Sequence, residues 1–252
     1  MRAMILAAGK GTRLRPLTET TPKPLLDVAG QPMIAYPLQR LREAGIQEAV
    51  INLHHLGSQI RAALGSGEGY GVRLSYSEED PILDTGGGIA ACRDFLGGDT
   101  FVVLNADTYI EVHLTDVIAF HRAHAATVTL VLRHDPHVTR YGVIEVDASQ
   151  RVRRFLGHPA GPASAGQAPV TDPLTPLMYA GVMILEPRVF TYLHPGIYSI
   201  TRHALPRLLQ AGEPLFGFLY DGYWRVLDTP ADLAEGRREI AARLTGHHHR
   251  SR

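Results

Sequence analysis

The sequence predicts an α/β fold: a Rossmann-like, mostly parallel sheet with helices on both faces, joined to a small β-rich subdomain. Three observations carry that expectation. Through the first 132 residues, short apolar runs alternate with segments of helical periodicity. Two of those runs, EAVINL at 48–53 and TFVVL at 100–104, read as buried strands. Beyond residue 132 the alternation gives way to shorter strand-like runs separated by turns.

Residues 3–7 form the first apolar strand. Residues 34–44 carry Ile34, Leu38 and Leu41 at helical spacing, and Gly45 stops the helix. The buried strand at 48–53, a helix at 56–64 and an alternating strand at 72–77 follow. A helix at 88–96 is entered through glycines, and the strand at 100–104 ends at Asn105. A helix at 114–126 and a strand at 127–132 close the first half. In the second half, 142–146 and 152–155 flank a turn as a hairpin. Residues 158–176, rich in Pro, Gly and Ala, are expected to be a mobile loop. A strand at 179–185, a helix at 200–211 kinked by Pro206, and strands at 215–220 and 223–226 come next. The terminal helix spans 230–244, with Thr229 as N-cap and Pro230 at its first position. The expected organisation is one domain over 1–245, its halves meeting near residue 132, the second half ending at 229, and a flexible tail at 246–252.

Composition excludes several classes. A 252-residue chain that is 45% hydrophobic can bury a sizeable core. Its 25 Lys and Arg against 25 Asp and Glu argue against nucleic-acid binding. No apolar run reaches the roughly 18 residues of a membrane span. The chain opens on a strand rather than a signal peptide. A single cysteine, Cys92, permits no internal disulfide and suits a reducing cytoplasm; it reads as a small buried residue rather than a nucleophile. His247, His248 and His249 read as part of a solvated tail rather than a metal site.

The first strand runs into LAAGKGTRLRPL, residues 6–17. Small residues and glycines let backbone N–H groups approach an anion closely, and Arg13 and Arg15 add fixed positive charge, so this is a phosphate cradle. The spacer of a Walker A loop is missing, and Leu14 replaces the third glycine of a dinucleotide fingerprint. Downstream, Pro22 and Pro24 pre-set the backbone around Lys23, so its ammonium is aimed with little ordering entropy. Glycines 86–88 at a helix start expose N–H donors.

The stretch LAAGKGTRLRPLTETTPKPL, residues 6–25, resembles the signature of the sugar-1-phosphate nucleotidyltransferases, and the likeness continues through VAGQPMI at 28–34 towards the last helix. The family includes mannose-1-phosphate guanylyltransferases and N-acetylmuramate-1-phosphate uridylyltransferases, which make nucleotide sugars for polysaccharides such as those of the cell envelope. The resemblance implies an enzyme that joins a nucleoside triphosphate to a sugar 1-phosphate with Mg²⁺ and releases pyrophosphate. It implies that Leu6, Ala7, Ala8 and Gly9 meet the nucleoside, that Gly11, Thr12 and Arg13 hold the triphosphate, and that Lys23 reaches the reacting phosphates. Arg13 and Lys23 are then the catalytic pair. Thr85, Gly86 and Gly87 belong to the base loop, and Asn105 faces both nucleotide and sugar. Asp107 and Asp228 are the implied metal ligands, although Trp224 stands further from Asp228 than in the family pattern. Tyr141, Gly142 and Gly181 match sugar-side positions. Gly157 and His158 replace a family Glu and Lys, and Tyr179 stands where asparagine is common, so the sugar pocket is atypical. A mannose-1-phosphate guanylyltransferase-like activity is the first expectation, with a muramate or other hexose-1-phosphate uridylyltransferase as the alternative. A cytidylyltransferase acting on another phosphate and a non-catalytic binding module are the rival classes. Formation of a homo-oligomer is left open.

Overall fold

The computed structural model describes residues 1–161 and 173–250. The first half comprises β1 (Arg2–Leu6), α1 (Leu17–Thr20), a ribbon of β2 (Asp27–Val28) and β3 (Gln31–Pro32), α2 (Ala35–Glu43), β4 (Glu48–Leu53), α3 (Gly57–Leu64) and β5 (Arg73–Glu78). Then come α4 (Asp84–Ala91), α5 (Arg93–Leu96), β6 (Phe101–Asn105), β7 (Thr108–Ile110), α6 (Leu114–Ala123) and β8 (Val128–Arg133). The second half holds α7 (Val138–Tyr141), β9 (Ile144–Val146), β10 (Val152–Phe155), β11 (His158–Pro159), β12 (Thr175–Leu185), α8 (Leu205–Gln210), β13 (Leu215–Leu219), β14 (Trp224–Val226) and α9 (Pro230–Arg250).

In space the main sheet runs β13–β8–β12–β6–β1–β4–β5. Neighbours β6, β1, β4 and β5 are parallel, as the alternating sequence predicts. β8 does not continue that parallel run directly: β12 enters between β6 and β8, antiparallel to both. Successive residues of β1 serve opposite faces. Ala3 and Ile5 join the core packed by Leu38, Ile60 and Val117 of α2, α3 and α6. Met4 joins the core packed by Ile89, Leu96 and Leu208 of α4, α5 and α8.

β12 changes allegiance along its length. Val182–Leu185 pair with β6, whereas Thr175, Pro176 and Leu177 pair with β9 of the hairpin. The register against β8 slips between Tyr179 and Met183, around Gly181 at φ 89°. A bulge of this kind bends a strand and re-aims its side chains.

Four expectations need correction. The helix placed at 88–96 starts at Asp84 and breaks at Cys92, so glycines 86–88 lie inside its first turns. The helix at 200–211 opens as a π-turn over Ile200–Ala204, N-capped by Ser199, before α8; Pro206 lies in the first turn of α8, where its missing N–H is tolerated. The loop placed at 158–176 gives up its ends to β11 and β12, and its centre, 162–172, lies outside the described residues. The last helix continues to Arg250, so backbone expected as tail is helical; the His247, His248 and His249 side chains and residues 251–252 lie outside the described residues. Thr229 does cap that helix: Asp232 N–H donates to Thr229 Oγ1 at 3.2 Å, and Thr229 N–H donates back to Asp232 Oδ2 at 3.0 Å. Among the described residues, no helix is long and apolar enough to cross a membrane.

Candidate active site

The carboxyl ends of β1, β4 and β6 meet at one edge of the sheet, where open α/β sheets bind ligands. The loop leaving β1 turns at Gly11, whose φ of 60° and close approach to Thr18, 2.9 Å from an ideal Cβ to Cγ2, both require glycine. Thr18 Oγ1 donates to the Gly11 carbonyl at 2.8 Å and locks the turn. Arg13 follows on an exposed 3₁₀ turn (Thr12–Leu14). Lys23 opens a second 3₁₀ turn (Lys23–Leu25) and is only 7% exposed.

Asp107 sits between β6 and β7, and Asp228 follows β14. The two meet because β14 pairs antiparallel with β7, Val226 opposite Thr108, and Leu227 N–H donates to the Asp107 carbonyl at 3.1 Å. Lys23 Nζ lies 2.7 Å from Asp107 Oδ2 and 2.5 Å from Asp228 Oδ1, while an Arg13 guanidinium nitrogen lies 2.7 Å from Asp228 Oδ2. A small apolar cluster fixes these charges: Leu14 beside Arg13, Leu26 beside Lys23, Leu227 beside Asp228, and Leu233 and Ile240 of α9.

Two carboxylate oxygens converge on one point, and the Lys23 ammonium marks that point as a seat for positive charge. An oxygen-only donor pair suits a hard divalent cation, which takes its other ligands from water or phosphate. Among the described residues, no group of three His, Cys, Asp or Glu side chains gathers to form a metal cage.

Two cavities open on this cluster. One of about 200 Å³ is lined by Leu6, Ala8, Gly9, Ile82 and Thr85. The other, about 440 Å³, is lined by Gly142, Leu156, Tyr179, Gly181, Arg140 and Arg202. Asn105 and Asp107 line both, so the cavities meet where the charges gather. Gly181 makes that junction: an ideal Cβ there would stand 3.0 Å from Thr108 Oγ1 and 3.4 Å from Asn105 Nδ2. Tyr179 lines the larger cavity, and its Oη is buried away from solvent with no hydrogen-bond partner among the described residues. Burial, and secondarily the charge of Asp107, push its pKa well above the usual phenol range.

The structure places several other sequence-singled residues differently. Ala7 is buried, and its N–H donates to Asn52 Oδ1 at 2.8 Å instead of facing the cavity. Gly86 and Gly87 face the 196–198 segment: their N–H groups donate to the Tyr198 carbonyl at 2.8 and 3.3 Å, and an ideal Cβ on Gly87 would stand 1.9 Å from the Gly196 oxygen. Thr85 reaches the cavity while its hydroxyl accepts the Ile200 N–H at 2.9 Å. Leu156 and Gly157, at φ 48° and 84°, form a two-residue turn that pairs Phe155 with His158, so Gly157 serves the hairpin and His158 is exposed. Tyr141 ends α7, and its side chain lies outside the described residues. Sequence reasoning passed over Asn52, Glu79, Arg140 and Arg202; a polar Asn inside the apolar run EAVINL was the available signal for the first.

The α/β fold thus brings a glycine-bearing loop, two carboxylates and two cationic side chains together at the mouth of two joined cavities. The Nucleotidyl transferase family profile matches residues 2–243, and the chain belongs to that family. It is 32% identical over 257 residues to UTP–glucose-1-phosphate uridylyltransferase of Synechocystis, covering 96% of this chain and 64% of that protein. It is 33% identical over 240 residues to mannose-1-phosphate guanylyltransferase of Mycobacterium tuberculosis, covering 94% of this chain and 64% of that one. The chain thus spans about two thirds of the length of these curated relatives. A shorter match, 55% identical over 116 residues, joins 46% of this chain to 50% of the N-acetylmuramate alpha-1-phosphate uridylyltransferase of Neisseria meningitidis. A sucrose-bound structure of a candidate glucose-1-phosphate thymidylyltransferase from Bacillus anthracis shares the fold at a TM-score of 0.80, with 24% identity over 96% of this chain and 95% of that one.

Proposed function

We propose that the protein is a cytoplasmic, Mg²⁺-dependent sugar-1-phosphate nucleotidyltransferase, which joins a nucleoside triphosphate to a sugar 1-phosphate and releases pyrophosphate. The observation that carries this reading is the meeting of the two cavities at Asn105 and Asp107, directly beside Lys23, Asp228 and Arg13. The smaller cavity takes the nucleoside and the larger one the sugar, so the two phosphates meet at the charged junction.

The chemistry needs positioning and charge neutralisation more than a base. A phosphate monoester has a second pKa of about 6, so the sugar phosphate is already largely dianionic near neutrality. Its oxygen attacks the α-phosphorus in line, the bond to the β-phosphate oxygen breaks, and pyrophosphate leaves. Lys23 neutralises the α-phosphate and the incoming phosphate, and Arg13 and the N–H groups of the 9–13 loop hold the departing pyrophosphate. Mg²⁺ held by Asp107 and Asp228 supplies further neutralisation of phosphate charge when bound.

For the particular substrates, two readings compete. Likeness to the mannose enzyme over 94% of the chain supports GTP with mannose 1-phosphate. A specific feature of the cavity favours UTP with N-acetylmuramate 1-phosphate: Arg202 lines the sugar side, and among the described residues the lining carboxylates are Asp107 and Asp228. Such a wall suits a sugar bearing its own carboxylate. The test is a matrix of the common nucleoside triphosphates against mannose, glucose and N-acetylmuramate 1-phosphates, scored for pyrophosphate and for sugar nucleotide together. The expected result is both products from one pairing; pyrophosphate without sugar nucleotide, or no turnover from any pairing, overturns the proposal.

A further inference from the structure

The wall of the smaller cavity contains a largely buried polar chain, Asn52 and Glu79, that the phosphate chemistry above does not use. Asn52, in β4, is 3% exposed, and Glu79, just after β5, is 4% exposed. Asn52 Oδ1 accepts the Ala7 N–H at 2.8 Å. Glu79 Oε1 accepts from Asn52 Nδ2 at 2.8 Å, and Glu79 Oε2 accepts the Leu83 N–H at 2.8 Å. The chain therefore runs from the loop after β1, across β4, to the segment that leads into α4. Leu6 and Ala8 flank one end, Ile82 and Asp84 flank the other, and these four line the cavity. Beyond the backbone pairing of β1, β4 and β5, one amide and one carboxylate thus tie the two walls together.

The backbone of Glu79 is fixed as well. Its N–H donates to the Leu53 carbonyl at 2.8 Å, and its carbonyl lies 2.8 Å from His54 Nδ1. Gly88 leaves room for the carboxylate: an ideal Cβ there would stand 2.6 Å from Glu79 Oε1 and 3.0 Å from Asn52 Nδ2. The polarity of the chain has one solution. Ala7 N–H, Asn52 Nδ2 and Leu83 N–H are all donors, and Asn52 contributes a single acceptor. The residue at 79 must then supply two acceptors facing two donors, which a carboxylate does and an amide does not.

We propose that Glu79 is a positioning residue for the nucleotide, holding the two walls of the nucleoside cavity at their working separation through Asn52 and Leu83. This rests on the reading that the smaller cavity takes the nucleoside triphosphate. Glu79→Gln turns an amide N–H against either Asn52 Nδ2 or Leu83 N–H. Asn52→Asp turns one carboxylate against another. The double variant Asn52→Asp with Glu79→Gln reverses the chain and satisfies it: the new carboxylate accepts from Ala7 N–H and from the new amide, whose oxygen accepts the Leu83 N–H.

The experiment measures equilibrium binding of UTP and GTP to the full chain, alongside KM for nucleotide and for sugar 1-phosphate. A buried donor left facing a donor weakens the nucleotide by about tenfold or more. The expected result is that loss in each single variant, little change in KM for the sugar 1-phosphate, and recovery in the double variant. Gly88→Ala, which displaces the carboxylate without removing it, is expected to act in the same direction and serves if a single variant fails to fold. Wild-type nucleotide affinity in Glu79→Gln, an equal rise in both KM values, or a double variant no better than the singles overturns the inference alone. A wild-type chain that binds neither nucleotide overturns the reading of the cavity, and the inference with it.

Discussion

Lys23 and Asp228 stand 205 residues apart in the chain, yet Lys23 Nζ lies 2.5 Å from Asp228 Oδ1. Neither residue reaches the other by local structure. The β7–β14 pairing delivers Asp228 to Asp107, and the cluster of Leu14, Leu26, Leu227 and Leu233 presses the Lys23 segment against both. Apolar packing thus holds Arg13, Lys23, Asp107 and Asp228 in one charged cluster.

Removing one of these charges should suppress turnover more than folding. Asp107→Ala and Lys23→Ala are each expected to lower kcat by about 10²–10³. Pyrophosphate release under saturating substrates, with circular dichroism to verify the fold, checks this. Near wild-type turnover in either variant would remove that residue from the mechanism.

Tyr179→Phe removes a buried hydroxyl that has no partner among the described residues. Because that hydroxyl is sealed from solvent, its loss should leave KM for the sugar 1-phosphate within about twofold of the wild-type value. KM for the nucleotide should stay constant, and thermal stability should not fall, because no hydrogen bond within the fold is lost.

Gly181→Ala forces a side chain onto φ 89° and against Thr108 and Asn105. A destabilisation of about 1–3 kcal/mol is expected, read as a lower denaturation midpoint. Activity should fall further than stability accounts for, since Asn105 is displaced at the junction of the cavities. A variant with full activity and an unshifted midpoint would contradict the bulge geometry.

A stability contribution dependent on pH sits far from the site. His121 is buried, with Nδ1 2.8 Å from Thr129 Oγ1 and Nε2 3.1 Å from Glu186 Oε1. Desolvation holds its pKa below the usual histidine range, against a smaller opposing effect of Glu186. Between that lowered value and the unfolded value of about 6.5, the unfolded chain binds more protons than the native one. The contribution is therefore complete above the unfolded pKa and is lost as pH falls below it. The thermal midpoint should drop from about pH 7.5 to about pH 5.5, and His121→Gln should flatten that drop.

Much of this architecture was legible because it rests on local patterns. The strands at β1, β4 and β6, the Thr229 cap and the hairpin at 142–155 follow from apolar runs, capping chemistry and turn residues. The meeting of Lys23, Asp107 and Asp228 was legible in part, Lys23 from the motif at 6–25 and the two aspartates from separate, shorter matches, that at Asp228 a loose one. What escaped depends on partners remote in sequence. Glycines 86–88 look like a loop until Tyr198, Gly196 and Glu79 are seen pressed against them. β12 reads as one more strand, because nothing in its composition shows that it will enter between β6 and β8. Glu79 is passed over in the sequence, because its donors come from residues 52 and 83.

The apolar cluster that joins Leu14 and Leu26 to Leu227, Leu233 and Ile240 sets an order of events during synthesis. A nascent chain that has emerged as far as residue 220 already carries the strands of the main sheet, the glycine loop and Lys23. It lacks Asp228, the β14 strand and the helix that presses on the loop. The partly made chain can condense its sheet on the ribosome before Lys23 and Arg13 have met Asp228. The charged cluster is complete only once α9 seats itself on the earlier-made segment that carries Arg13 and Lys23.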